Sequence, residues 1–221
     1  MSDPGPAVAQ RTIVYVDGFN LYYRALKGTP YKWLDIMRLV KSVLRSSNDI
    51  HKIRYFTAMV SGKRDPEMPI RQQQFLRALR TIPEVEVHTG RFLASQKWAP
   101  LHLPPPEMFR PVPEVVSIVK TEEKGSDVNL ASWLLRDAFR DEYDVAVVLS
   151  NDTDLVEPIR MVRHETGKPV GIMTPVNRPA RSLTQVASFC RFLTPGRLAA
   201  AQFPDHLPGT TIRKPAAWIP D

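Results

Sequence analysis

Cysteine is nearly absent from this chain. Its 221 residues include one, Cys190, which excludes an intramolecular disulfide and a cysteine-built zinc site. Cys190 stands between Phe189 and Arg191 in a strand-like run and reads as a buried structural thiol. Histidine is scarce too: there are five, and no two stand at metal-ligand spacing. No apolar run approaches the roughly 18–20 residues that cross a bilayer, so no membrane partner is expected. Met1–Gln10 lacks the basic-then-apolar pattern of a secretory signal. It reads as a short disordered lead, and the expected location is cytoplasmic. There is no internal repeat.

What the chain has is positive charge and a regular alternation of segments. The net charge is +7 and the pI about 9.7. Such an excess favours a polyanionic partner through counterion release, although many basic proteins bind no nucleic acid. A hydrophobic fraction of 43% suits one domain with a real core.

Thr12–Val16 is a continuous, β-branched apolar run ending at Asp17-Gly18, the mark of a central parallel strand. A helical turn follows, with Leu21, Tyr22, Tyr23 and Leu26. Trp33–Leu44 has helical spacing, and Ile53–Val60 is a second strand. Pro66–Ile82 predicts a helix with one apolar side and one basic side, bearing Arg64, Arg71, Arg77 and Arg80. Val85–Phe92 alternates like a strand nearer an edge. Residues 94–113 carry six prolines and read as an insertion flanking a site. Val115–Val119 pairs with the preceding strand as a hairpin, and Lys120–Gly125 reads as a charged turn. Ser126–Phe139 is a helix with Ser126 as N-cap and Asp127 in its first turn.

Tyr143–Ser150 is a further buried strand. It stops at Asn151-Asp152-Thr153-Asp154, where a helix to His164 begins. Pro169–Met173 is a last central strand, Arg181–Ala187 a short helix and Phe189–Leu193 a short strand. A helix over Leu198–Gln202 and a poorly ordered tail from Pro204 complete the chain. The expected domain spans residues 11–194, with 195–221 as a C-terminal extension. Strands alternating with helices predict an α/β fold with an open, mostly parallel sheet and helices on both faces.

In such a sheet the strand C-termini share one edge, and a helix returning to the next strand starts there. Asp17, Asp127, Asp152 and Asp154 can therefore converge. Each also has an ordinary explanation, as a strand-end turn, a first-turn acid or a helix cap. Their joint occurrence at one edge favours a site. Four carboxylates together repel by several kcal/mol at an effective dielectric near 20 and call for a cation. Mg2+ or Mn2+ suits an all-oxygen set, and with a basic surface around it the natural substrate is a phosphodiester.

Three segments carry a resemblance: Tyr15-Val16-Asp17-Gly18-Phe19-Asn20-Leu21-Tyr22, Lys124-Gly125-Ser126-Asp127-Val128-Asn129-Leu130 and Leu149-Ser150-Asn151-Asp152-Thr153-Asp154-Leu155. In this order they resemble the NYN domain of the PIN-like ribonuclease superfamily, with the bacterial LabA-like branch closest. The resemblance implies a three-layer α/β/α sandwich of the Rossmann-like kind and a Mg2+- or Mn2+-dependent site acting on RNA, single-stranded or structured. It implies metal or catalytic roles for all four aspartates. It also implies a supporting role for Asn20 and a hydrogen bond from Ser150 to the acidic loop. Asn151 departs from the glycine frequent at that position.

Within that frame, Asp17 and Asp152 are expected closest to the metal, with Asp127 and Asp154 bound through water. Lys124 is expected to meet the scissile phosphate. Arg64, Arg71, Arg77, Arg91 and Lys97 would guide the backbone, and Tyr22, Tyr23 and Trp98 would stack on bases. A homodimer is a candidate assembly. The alternative is an RNA-binding or regulatory protein with little turnover. An aspartyl phosphatase is disfavoured, because Phe19 and Asn20 follow Asp17-Gly18 where a D-x-D pair would stand.

Overall fold

The run Thr12–Val16 lies inside β1 (Gln10–Asp17), buried without a break from Thr12 to Asp17. The computed structural model describes residues 9–62, 65–102 and 115–219. Among these, β1 is central in a sheet of order β4-β3-β2-β1-β5-β6-β7. The other strands are β2 (Asn48–Ala58), β3 (Val85–Pro100), β4 (Val115–Lys124), β5 (Val145–Leu149), β6 (Val170–Thr174) and β7 (Phe189–Phe192). Every neighbouring pair is parallel except β3 with β4.

Alternation along β1 divides the core in two. Val14 and Val16 face one apolar cluster, and Ile13 and Tyr15 face the other. Successive strand residues point to opposite faces, so a strand buried throughout must be covered on both. The first face is covered by α2 (Ile36–Val43), α3 (Glu67–Leu79) and α7 (Pro195–Ala200), through residues such as Leu39, Leu76 and Leu198. The second is covered by α4 (Ser126–Phe139), α5 (Val156–Thr166) and α6 (Arg181–Val186), through Leu134, Ile159 and Leu183. The expected α/β architecture with layers on both faces is present.

Two expectations are corrected. Residues 94–100 do not break the sheet: β3 runs to Pro100 and pairs antiparallel with β4, from Arg91 opposite Lys124 to Pro100 opposite Val115. The hairpin is therefore longer than its apolar part, and the supposed charged turn is its second strand. Polar cross-strand contacts hold the distal part together, including Lys97 to Glu122 at 3.3 Å and Gln96 to Ser117 at 2.7 Å. Arg64 and the stretch 103–114 lie outside the described residues, as does most of the lead.

The tail from Pro204 is not loose. Phe203, Leu207 and Ile212 are buried in the first core cluster. The Trp33 indole N–H donates to the Pro204 carbonyl at 2.9 Å, and Trp218 packs edge-on against Trp33 and Phe75. Irregular spacing hides this docking from any periodicity, yet each buried aromatic removes a large apolar surface from water. The preceding helix also begins earlier than expected, at Pro195, with Thr194 as its cap.

One buried ion pair positions α4. Arg54 on β2 meets Asp137 near the end of α4 through Nε to Oδ2 at 2.8 Å, with both side chains almost fully buried. Tyr15 on β1 donates its hydroxyl to the same Oδ2 at 2.9 Å. The Trp133 ring lies between the guanidinium groups of Arg54 and Arg136, at 4.0 and 4.4 Å. Breaking a buried pair leaves an uncompensated charge. Asp137→Ala is expected to destabilise the fold by about 3–5 kcal/mol, and Phe203→Ala by about 3 kcal/mol, both read as shifts of the urea midpoint. An unmoved midpoint in Phe203→Ala would show that the Phe203 ring adds nothing to the core.

Candidate active site

The chain runs outward from β1 to β2, β3 and β4, then crosses back to β5 on the other side of β1. The gap between the ends of β1 and β5 is thus a topological switch point, where open α/β sheets bind ligands. Val16 pairs with Leu149, so the next residues, Asp17 and Ser150, emerge side by side.

A chain of hydrogen bonds fixes the two strand ends and the loops that leave them. Ser150 Oγ donates to Asp17 Oδ2 at 2.9 Å, and the Asp152 N–H donates to Ser150 Oγ at 3.0 Å. The Asn20 N–H donates to Asp17 Oδ1 at 2.9 Å, which makes Asp17 the cap of α1 (Gly18–Leu21). The Asn20 side-chain oxygen accepts the Asn151 N–H at 3.0 Å. Asn151 in turn accepts the Ala180 N–H at 2.8 Å. The departure at Asn151 therefore ties the acidic loop to the start of α6. Asp152 itself caps the short 3-10 turn Thr153–Leu155, accepting the Asp154 N–H at 3.0 Å. Gly18 has no room for a side chain, because a Cβ there would stand 2.7 Å from the Phe56 carbonyl oxygen and the Tyr55 ring.

The third strip of the site is the start of α4. Its cap is Gly125, at φ +103, and not Ser126. Gly125 takes a left-handed turn that a residue with a Cβ adopts only with strain. Ser126 is buried in the first turn and donates its N–H and hydroxyl to Glu123, at 3.0 and 2.7 Å. The cap acceptor thus comes from Glu123, a residue that reads in sequence as part of a charged turn. A glutamate three places ahead of the serine that opens an apolar helical stripe was the available signal.

Asp17, Asp127 and Asp152 offer carboxylate oxygens that all lie within 4.8 Å of one another. They line a depression of about 270 Å³ together with Phe19, Asn20, Tyr23, Arg24, Glu123 and Ser126. Asp154 stands outside this trio, exposed on the 3-10 turn. Its negative charge still adds to the upward push on Asp127. Lys124 ends β4 and pairs with Glu122 at 3.2 Å. Lys120, Lys124 and Lys97 hold the Glu122 carboxyl low, at about 2. Trp98 lies far out on the β3–β4 arm, 73% exposed, and Arg71 is paired with Asp65. Neither Lys124, Trp98 nor Arg71 lines the acidic depression.

Burial raises the Asp17 carboxyl to about 6, helped by the charges of Asp127 and Asp152 and opposed by the hydrogen bonds from Asn20 and Ser150. Asp127 is also raised, first by burial and then by Asp152 and Glu123. This is the electrostatics of a site short of positive charge. The donor set fits a hard divalent cation: carboxylate oxygens only, on a depression open enough for water ligands. Both Asp17 oxygens keep lone pairs beyond the bonds they accept.

A second, larger cavity of about 370 Å³ adjoins the depression, and Phe19 and Tyr23 line both. Its other walls include Tyr22, Tyr55, Phe75 and Trp218, with Lys27 and Lys32.

The α/β sheet and its acidic trio agree with a family match that places the chain in the PIN-like nuclease superfamily. The NYN domain model matches residues 11–194, and the chain belongs to the NYN family. It is 33% identical to the 6-hydroxy-3-succinoylpyridine 3-monooxygenase HspA of Pseudomonas putida over 236 aligned positions, which cover 94% of this chain and 75% of that protein. The fold is similar to that of a Vibrio parahaemolyticus protein of unknown function, with a TM-score of 0.56 at 16% identity over 88% of this chain and 98% of the other. No helix among the described residues is long and apolar enough to cross a membrane.

The raised Asp17 carboxyl has a linkage consequence. Unfolded, it ionises near pH 4, roughly the ordinary aspartate value; folded, at about 6. Between these values the folded state binds more protons, so stability falls as pH rises, by on the order of 2–3 kcal/mol in total. In EDTA, Asp17→Asn is expected to flatten that fall, read from urea midpoints between pH 4 and 7. At pH 7, Mn2+ is expected to raise the melting temperature of the wild type and not of Asp17→Asn. An equal rise in both would remove Asp17 from the cation's ligands.

Proposed function

We propose that this protein hydrolyses phosphodiester bonds of RNA with a divalent cation, Mg2+ or Mn2+, held by Asp17, Asp127 and Asp152. The observation that carries this reading is the trio of carboxylate oxygens within 4.8 Å at the switch point. Membership of the NYN family and the net charge of +7 support it. A cation held by Asp17, Asp127 and Asp152 would supply acidification of water and stabilisation of charge on a phosphoryl oxygen.

The chain's own residues do the positioning. Ser150 and the Asn20 N–H orient the two oxygens of Asp17. The Asn20–Asn151–Ala180 links hold the Asp152 loop at its distance. Asp127 is presented from the first turn of α4. Arg24, on the rim of the depression, is suited to a substrate phosphate. Asp154, exposed on the 3-10 turn and outside the trio, is assigned the role of accepting a proton from water rather than ligating. Asp154→Asn is therefore expected to retain metal-induced stabilisation while losing cleavage rate.

The test uses single-stranded RNA and Mn2+ with wild type, Asp17→Asn and Asp152→Asn. Removing a ligand carboxylate is expected to lower cleavage by about a hundredfold or more, as loss of one strong electrostatic contact does. Equal cleavage by all three would assign the activity to a contaminant. Metal-dependent RNA binding without cleavage would favour the regulatory alternative.

A second reading is favoured by the identity to HspA together with the aromatic cavity beside the acids. In it the chain oxygenates a substituted hydroxypyridine, one atom of O2 entering the ring and the other leaving as water with two electrons and two protons from a reduced donor. Oxygen uptake with 6-hydroxy-3-succinoylpyridine and a reduced nicotinamide would support it. No uptake by a preparation that cleaves RNA would end it.

A further inference from the structure

The cavity beside the acidic depression has no part in holding a cation, yet it is the larger of the two, at about 370 Å³. That lies within the ~300–1,000 Å³ range of pockets that enclose small ligands. Its wall is aromatic from four separate parts of the chain. Tyr22 and Tyr23 come from the wide helical turn Tyr22–Leu26 after α1, Tyr55 and Phe75 from β2 and α3, and Trp218 from the docked tail. Lys27 and Lys32 line it as well, with the Lys27 ammonium 5.1 Å from the Tyr23 ring centre.

Two features set its orientation. Phe19 and Tyr23 line both the cavity and the depression. Their rings lie near parallel, 21° apart with centroids 6.4 Å apart. A ligand with a flat apolar end and an anionic end would therefore seat the first among the aromatics and pass the second over Phe19 and Tyr23 toward the acids and their cation.

We propose that this cavity is a nucleobase subsite, taking the base of an unpaired nucleotide next to the phosphodiester placed at the trio. The proposal rests on the hydrolase reading for the phosphate and on the cavity alone for the base. Stacking on aromatic side chains is open to every base, because each has a π face. Part of the polar lining is already engaged, with Arg71 paired to Asp65. The Gln72 amide that lines the cavity already donates to the Ala58 carbonyl at 2.8 Å and accepts the Val60 N–H at 2.9 Å. Because stacking needs an unpaired base, the subsite favours single-stranded over paired RNA, and its aromatic wall accepts the π face of each of the four bases. Ala217 and Trp218 come from beyond the NYN-matched residues, so part of this wall is an addition of the C-terminal extension.

The experiment is calorimetric titration of the full chain, in EDTA, with the four nucleoside 5′-monophosphates and with nicotinate, a one-ring heteroaromatic carboxylate. Wild type is expected to bind all four nucleotides saturably. Trp218→Ala is expected to lose about tenfold in affinity, the scale of one lost stacking contact. Tyr23→Ala, at an exposed position that the core does not need, is expected to lose a similar factor with an unchanged melting temperature. It keeps the test decisive if Trp218→Ala folds poorly. No nucleotide binding by the folded wild type would overturn the subsite, as would saturable nicotinate binding without it. Because binding is read without metal, it is independent of turnover. RNA cleavage by a protein that binds no mononucleotide would sink the subsite and leave the hydrolase reading standing.

Discussion

Mutual repulsion among Asp17, Asp127 and Asp152 is the constraint around which the rest is arranged. Two full charges less than 5 Å apart cost about 3–4 kcal/mol at an effective dielectric near 20. Left to themselves the three side chains would separate. Asp17 is held because it is buried and tied at both oxygens, by the Asn20 N–H and the Ser150 hydroxyl. Asp152 is held through the same serine. Asp127 is held because α4 cannot retreat: Arg54 and Tyr15 on the sheet grip Asp137 near its far end, and Glu123 clasps its first turn. The acids face one another because their supports are stronger than their repulsion.

That division of labour explains the placement of charge elsewhere. The Arg54–Asp137 pair sits where water is excluded, on the face of the sheet covered by α4. There it serves geometry more than net stability, since a buried pair roughly offsets its own desolvation. The lysines near the site in sequence do not neutralise it. Lys97, Lys120 and Lys124 gather on Glu122 along the β3–β4 arm. The trio keeps its deficit of positive charge, which is what a site built for a cation requires.

Much of this was legible in the sequence, and the failures share one cause. The strands β1 and β5 announced themselves as short β-branched runs ending in acids. The helix over Ser126–Phe139 was legible in extent from its stripe Leu130, Leu134 and Ala138. Topology alone placed four aspartates at one edge, of which Asp17, Asp127 and Asp152 stand together. The missed features depend on partners far away in the chain. Asp137 looks like an ordinary surface acid until Arg54 arrives from β2. Glu123 looks like part of a turn until Ser126 needs an acceptor. Phe203, Leu207, Ile212 and Trp218 have no period to betray them, because an irregular tail docks by shape and not by repeat. Asp154 is a separate and local case: it shares its motif with Asp152, but stands exposed on the 3-10 turn and outside the trio.

The docked tail also bears on the order of assembly. A domain folds as a unit, and here the surface around Trp33 and Phe75 is covered by residues some 140 to 185 positions later in the chain, Phe203 to Trp218. The acids all precede these residues in the chain, so the aromatic wall beside them is completed only by a segment translated after the whole acidic edge.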